Sequence, residues 1–378
     1  MAYSIPLSSP VFEGNENDYL QSVISSGHVA TNGEFIKKFE SKLVTKGKSH
    51  QAVALNSGTS ALHLALVLLG VSRGDEVICQ SFTFCASANP IVYLGGTPIF
   101  VDSEEGTWNI SPELLEKAIL SRLALGKKVK AIVVVHLFGM PAKMNEIMKI
   151  SEKYDIPVVE DAAEALGSTY SDRSCGTLGT IGFFSFNGNK IITTGGGGAL
   201  ISTDTDILQR AKYLSTQAKE NLPYYQHLEI GYNYRMNNMA AAIGLAQLER
   251  LDEFIAKRRM INANYRSLFD EFRGIQFQPE LPGSSSNFWL SAILMDESKT
   301  GLSNDNFRTM LLKQGIESRF LWKPLHLQPV YRECPYYGGE VAEGLFSKGL
   351  CLPSSTSLTG DDQERIAGIL VRELSKVS

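Results

Sequence analysis

Two short runs of β-branched apolar residues, Ala131-Ile-Val-Val-Val135 and Ile156-Pro-Val-Val159, constrain the fold more than any other feature of the chain. Each is apolar along its whole length rather than at alternate positions. Each stops at polar residues, His136 in one case and Glu160-Asp161 in the other. A strand without a polar face is buried on both sides, and the segments between and after these runs read as helices. The pattern predicts an α/β fold with a parallel sheet between helical layers. Two earlier units repeat it: Ala52-Val-Ala-Leu55 leads into Ser60 to Leu69, and Glu76-Val-Ile-Cys79 leads into Ser87 to Leu94. In such sheets ligands gather outside the carboxyl ends of the strands. The turns there are the places to look for chemistry.

At 378 residues the chain exceeds the size, about 250–300 residues, at which a single core stops growing. A helical pattern runs from Met239 to Phe272, with Ile243, Leu248, Leu251, Phe254 and Ile255 at three-to-four spacing. Beyond it come shorter mixed elements and a Pro282-Gly-Ser-Ser-Ser286 turn. This predicts a large domain over residues 1–250 and a small one over 251–378. The net charge is only −4 and there is no long basic run, which argues against a nucleic-acid partner. The five cysteines (Cys79, Cys85, Cys175, Cys334 and Cys351) are odd in number and never spaced as CxxC. They suggest neither a disulfide framework nor a metal site, and they fit the cytoplasm. Met1 to Glu13 lacks the basic start and apolar run of a signal peptide. The most apolar stretch, Ala61 to Val71, falls short of the roughly 20 residues a membrane helix needs.

Generic phosphate motifs fail. Gly47-Lys48-Ser49 looks like the end of a P-loop, but Lys42 stands where that motif requires glycine. The stretch Gly176 to Gly182 is not GxGxxG, and Gly195 to Gly198 does not follow a strand as a dinucleotide fingerprint does. Asn56-Ser57-Gly58-Thr59-Ser60-Ala61 is a better candidate, because it lies between a strand and a helix. Free backbone N–H groups and the helix dipole would both favour an anion there. A plain N-cap by Ser57 or Thr59 accounts for the same residues.

The informative stretch is Val158 to Gly167, followed by Gly182 to Gly198. Asp161 ends a buried strand, where a carboxylate is costly without a cation or donor. Lys190 lies between Phe183-Phe-Ser-Phe186 and Ile191-Ile192, although alone it reads as an exposed loop lysine. Pyridoxal phosphate chemistry uses both: a lysine bonds the cofactor, an acid partners its ring nitrogen, and a helix N-terminus takes its phosphate. In these residues the chain resembles the DegT/StrS family of sugar aminotransferases. The resemblance extends through Ile5-Pro-Leu7, Asn56 to Ala61, Gly74 to Val77, Thr83 to Ala88, Glu160 to Ala163, Ser185 to Lys190, Gly231 to Met236 and Leu350 to Pro353.

That resemblance implies fold type I of the pyridoxal 5'-phosphate enzymes. The large domain would carry a mostly parallel seven-stranded sheet, the small C-terminal domain would be α+β, and the first twenty or so residues would pack on the small domain. It implies Lys190 as the residue that carries the cofactor and moves the proton. Asp161 would pair with the ring nitrogen and Phe84 would stack on the ring face. Gly58, Thr59, Ser60 and Ser185 would bind the phosphate, with Asn233 reaching the phosphate of a neighbouring subunit in a homodimer. Glu164 matches a position beside the ring more often held by Gln or His. His28, Thr31, Lys323 and His326 resemble the sugar-nucleotide side of the site. His63 and His136 read as structural.

The same resemblance implies amino transfer from L-glutamate to a nucleotide-linked 4-keto-6-deoxy sugar. Ser185 to Thr194 is similar to enzymes that make UDP-linked 4-amino-4,6-dideoxy-N-acetyl sugars, such as those of the bacillosamine pathway. Transfer to a 3-keto sugar, a sugar dehydratase and a non-catalytic cofactor-binding regulator are the alternatives. Lys190 favours transamination, because dehydratase relatives carry His there. Gly196 stands where many relatives have Glu, and His28 lies near a position where many have Trp, so substrate detail transfers less well than cofactor chemistry.

Overall fold

The computed structural model describes residues 3–44 and 50–374, so Gly47-Lys48-Ser49 lies outside the described residues. The first strands are β1 (Gln51–Leu55), β2 (Glu76–Gln80), β3 (Thr97–Val101), β4 (Val129–Val135) and β5 (Val158–Asp161). Two short strands follow, β6 (Thr169–Tyr170) and β7 (Arg173–Ser174), and then β8 (Ile181–Ser185) and β9 (Gly198–Ser202). The last third adds β10 (Ile275–Phe277), β11 (Ser284–Ser285), β12 (Ser291–Met295), β13 (Arg319–Phe320), β14 (Tyr336–Tyr337) and β15 (Gly349–Leu352).

The main sheet has the order β1-β9-β8-β5-β4-β2-β3-β14. Its pairings are parallel except for those of β9, which runs antiparallel to both β1 and β8. It therefore has eight strands where seven were expected. The eighth, β14, is only two residues long, too short to leave a periodic signal. Burial of the whole central run, with Ile132, Val133, Val134, Val158 and Val159 fully enclosed, explains why these strands carry no polar face. A second, antiparallel sheet, β10-β12-β15-β13, comes entirely from the last third of the chain, and β11-β6-β7 forms a small third sheet.

The helical pattern after Met239 is two helices, Asn238–Glu249 and Leu251–Leu268, joined at Arg250 (φ −108°, ψ 10°). The Arg250 guanidinium grips Glu253 at 2.8 and 2.9 Å and reaches Glu13 at 3.4 Å. Apolar spacing continues across the joint, so periodicity alone does not reveal it. At the N-terminus, Ile5 bridges Ile316, and the backbone of Leu7 and Ser9 bonds to Glu317 and Ser355. The helix Glu16–Ser26 packs instead on Asn238–Glu249. Among the described residues, the hydrogen bonds from this N-terminal stretch to the last third come from residues 4–9.

The turn after β5 is held by a buried carboxylate. Glu160 accepts hydrogen bonds from the backbone N–H groups of Gly176 (2.8 Å), Leu178 (2.5 Å) and Gly179 (2.6 Å). It also pairs with His136 Nε2 at 2.9 Å. His136 Nδ1 accepts from the Ala142 N–H (3.1 Å), so Nε2 carries the hydrogen that faces Glu160. The glycine-rich stretch rejected as a nucleotide loop thus supplies N–H donors to a structural acid. Replacing Glu160 with Ala would strand those donors in a dry interior. We expect a loss of about 3 kcal/mol or more in chemical denaturation, with the midpoint lowered even in cofactor-free protein.

Candidate active site

A cavity of about 480 Å³ opens at the carboxyl ends of the main strands. Because β9 runs against its neighbours, its first residue lies at the same edge as the last residues of β1 and β8. Ser57, Gly58 and Thr59 line the cavity from the turn after β1, and Phe84 and Ser87 from the turn after β2. Asp161 and Glu164 come from the end of β5, Ser185 from the end of β8, and Lys190 with Gly196 and Gly197 from the β8–β9 connection. Trp289, Arg319 and Trp322 close it from the last third of the chain.

The acids carry the electrostatics. Asp161 is buried; Ser87 Oγ donates to its Oδ2 at 2.7 Å and the Ala163 N–H to its Oδ1 at 3.1 Å. Burial still pushes its pKa up, against the opposing pull of those donors and of Lys190. Glu164, also buried, accepts from the Phe138 N–H at 2.7 Å and from Lys190 Nζ at 3.3 Å. Its pKa is likewise raised, chiefly by burial. Lys190 Nζ lies 4.0 Å from the centroid of the Trp289 ring, so one face of the ammonium is covered. Its side chain keeps 14% of its exposure, enough to be reached from the cavity.

The residues fit pyridoxal phosphate. The helix Gly58–Leu68 points its N-terminus into the cavity, and Ser57 caps it by accepting from the Ser60 N–H at 3.0 Å. The floor of this cradle has no room for side chains. A Cβ on Gly58 would meet Ser185 Cβ at 2.9 Å, and one on Gly198 would meet the Ser57 carbonyl carbon at 2.5 Å. Phe84 is half exposed and offers its ring to the cavity, 5.3 Å from Trp322 between centroids. Asp161 is a desolvated acid waiting for a cationic N–H, and Lys190 is the amine within the same cavity.

Gly58, Thr59, Phe84, Asp161, Glu164, Ser185 and Lys190 thus come together. Ser60 does not line the cavity; its hydroxyl is bonded to that of Ser57 at 2.8 Å. Asn233 is exposed, with its Oδ1 taken by Gln217 at 3.1 Å. His28 and Thr31 line a separate groove with Arg235, in the loop between the first two helices. Lys323 is exposed beside Trp322. His326 is held by Ser81 (2.7 Å) and Glu343 (3.2 Å) and stacks on Tyr336. None of these lines the cavity that holds Lys190. His63 bonds Tyr234 at 3.2 Å among tyrosine rings, and burial lowers its pKa. Motif reading missed Trp289, Ser87, Arg319 and Trp322, which carry no local signature. Among the described residues no cluster could hold a metal ion and no helix could cross a membrane.

A lysine, a buried aspartate and a phosphate-sized cradle at one sheet edge define a fold-type-I pyridoxal phosphate enzyme. The chain belongs to the DegT/DnrJ/EryC1/StrS aminotransferase family, which it matches over residues 10–371. It is 44% identical to a protein named as a pyridoxal phosphate-dependent aminotransferase, EpsN of Bacillus subtilis (strain 168), over 98% of this chain and 96% of that one. It is 39% identical to the GDP-perosamine synthase of Escherichia coli O157:H7, over 94% and 95% of the two chains. Among solved structures, the PLP form of Spr1654 from Streptococcus pneumoniae, named as a sugar aminotransferase, superposes with a TM-score of 0.90 at 28% identity, covering all of both chains. The protein is therefore a pyridoxal phosphate-dependent sugar aminotransferase.

The raised pKa of Asp161 has a consequence for stability. The folded, cofactor-free protein holds that proton more tightly than the unfolded chain does. Its contribution to stability is therefore full below the ordinary aspartate range and is lost as pH rises through the folded value. Asp161→Asn removes this dependence. We expect the cofactor-free variant to melt above the wild type at neutral pH, the gap closing below about pH 4, while cofactor binding weakens.

Proposed function

We propose that the enzyme transfers the amino group of L-glutamate to C4 of a nucleotide-linked 4-keto-6-deoxy sugar, an N-acetylhexosamine carried on UDP, for a bacterial surface glycan. The observation that carries the reading is Lys190 Nζ, held in reach of Glu164 in the same cavity as Asp161 and the Gly58 cradle. Bound there, pyridoxal phosphate supplies the electron sink for transamination. Asp161 would keep the ring nitrogen protonated, and Phe84 would hold the ring plane. Gly58, Thr59, Ser60 and Ser185 would fix the phosphate, Ser60 through its place in the helix's first turn. Lys190 would carry the proton between the substrate carbon and the cofactor. Glu164 would take up and return charge as Lys190 changes its protonation.

The exposure of Asn233, and the absence of His28, Thr31, Lys323 and His326 from the lining of the Lys190 cavity, favour a homodimer with shared sites, which we place in the cytoplasm. Asn233 would then serve the partner's phosphate, and the other four the sugar nucleotide. The relatives named GDP-perosamine synthases favour a second reading in which the nucleotide is GDP.

L-glutamate should shift the visible absorbance band of the bound cofactor into the near ultraviolet. Lys190→Ala should slow this by at least about 10²-fold. A UDP-linked 4-keto-6-deoxy-N-acetyl sugar should then restore the band, and NMR of the product should place the amine at C4. Restoration by GDP-linked sugars alone would establish the second reading, and a band indifferent to every amino donor would sink both.

A further inference from the structure

Arg258 is buried to 2% exposure, yet none of its hydrogen-bond partners is an acid. Its Nη1 donates to the Trp289 carbonyl and its Nη2 donates to Ser8 Oγ at 3.1 Å, while Nε has no partner among the described residues. Burial pulls the guanidinium down to about 9. A buried cation without an anion is a net cost to the fold. What it holds in place explains its presence.

Ser8 Oγ, which accepts from Arg258, donates its own hydrogen to the Asn189 carbonyl at 2.8 Å. Trp289 Nε1 donates to the same carbonyl at 2.7 Å. That oxygen belongs to the peptide bond leading into Lys190, and a planar peptide passes its orientation directly to the next Cα. The ring of Trp289 also lies under Lys190 Nζ at 4.0 Å. Two distant parts of the chain thus meet on the peptide before the lysine, and Arg258 binds both. Ser8 itself is secured by its neighbours, since the Leu7 N–H donates to Glu317 at 3.0 Å and the Ser9 N–H to Ser355 Oγ at 2.8 Å.

We propose that the segment Leu7–Ser9 is a strap that sets the direction of Lys190, with Ser8 and Arg258 as positioning residues acting through the Asn189 carbonyl and Trp289. The inference rests on the reading that Lys190 carries the cofactor. With the strap fastened, the lysine is presented to the cavity in one orientation. Without it, the Asn189 carbonyl keeps Trp289 Nε1 as its side-chain donor, and the amine is less firmly directed into the cavity.

The test uses full-length wild type, Ser8→Ala, Ser8→Thr and Arg258→Lys, each stripped of cofactor and titrated with pyridoxal phosphate. Three quantities are read: the dissociation constant, the pH midpoint of the visible band, and the melting temperature of cofactor-free protein. Ser8→Ala removes the bond to the Asn189 carbonyl and the one accepted from Arg258, and should weaken cofactor binding at least about fivefold. It should move the pH midpoint and lower the cofactor-free melting temperature by too little to account for the lost affinity, and Ser8→Thr should restore both cofactor readouts. Arg258→Lys should shift the same two in the same direction; should it fail to fold, the serine pair decides. Wild-type affinity and midpoint in Ser8→Ala would overturn the proposal. So would a fall in melting temperature that accounts for the whole loss of affinity. A wild type that shows no Lys190-dependent band would instead bring down the proposed function, whatever the serine variants do.

Discussion

The site depends on keeping Asp161 out of water. A carboxylate that has lost its hydration favours the neutral form, and one hydroxyl and one backbone N–H only partly offset this. Glu164 faces the same penalty a few residues on, and the two negative charges oppose each other. Lys190 is the cation lining that part of the cavity, and its hydrogen bond goes to Glu164. The protein alone therefore leaves Asp161 under-compensated. Under the proposed reading, a protonated ring nitrogen would complete the charge balance, and the same desolvation that burdens the fold would strengthen the hold on the cofactor.

The strand ends deliver these groups because of how the sheet is ordered. β1, β5 and β8 all finish at one edge, and β9 starts there because it runs the other way. A polar residue at the end of an apolar run is therefore delivered to the cavity's edge. Asp161 and Ser185 are of this kind, and Gly58 follows the end of β1 by three residues. Lys190 was legible for a different reason: an amine among phenylalanines and isoleucines is out of place on an ordinary loop.

What the sequence hid has physical causes. The β14 strand is two residues long, and a two-residue pairing leaves no pattern. The joint at Arg250 is invisible because core contacts continue in phase on both sides of it. Trp289 and Arg319 reach the cavity through long-range folding, and Trp289 meets Asn189 across a separation of 100 residues. The Glu160 hub was half readable: the acid stands at a strand end, but its donors lie in a glycine stretch whose spacing matches no motif. The four residues proposed for the sugar nucleotide, His28, Thr31, Lys323 and His326, were the least legible, since none lines the Lys190 cavity within one chain.

The short β14 strand bears on more than topology. An apolar sheet that ends in an open strand offers its free N–H and C=O groups to any passing strand. Here β14 covers β3 on one side, its backbone continued by the Gly339, Val341 and Ala342 N–H groups that bond Asp102. On the other side, Asn56 N–H bonds the Tyr234 carbonyl, Met236 N–H bonds the Ala54 carbonyl, and Arg235 bridges Leu55. Two short pieces of chain, one of them the two-residue β14, thus cover part of each margin. Each pairing shortens the run of open N–H and C=O groups to which a strand of another molecule could add.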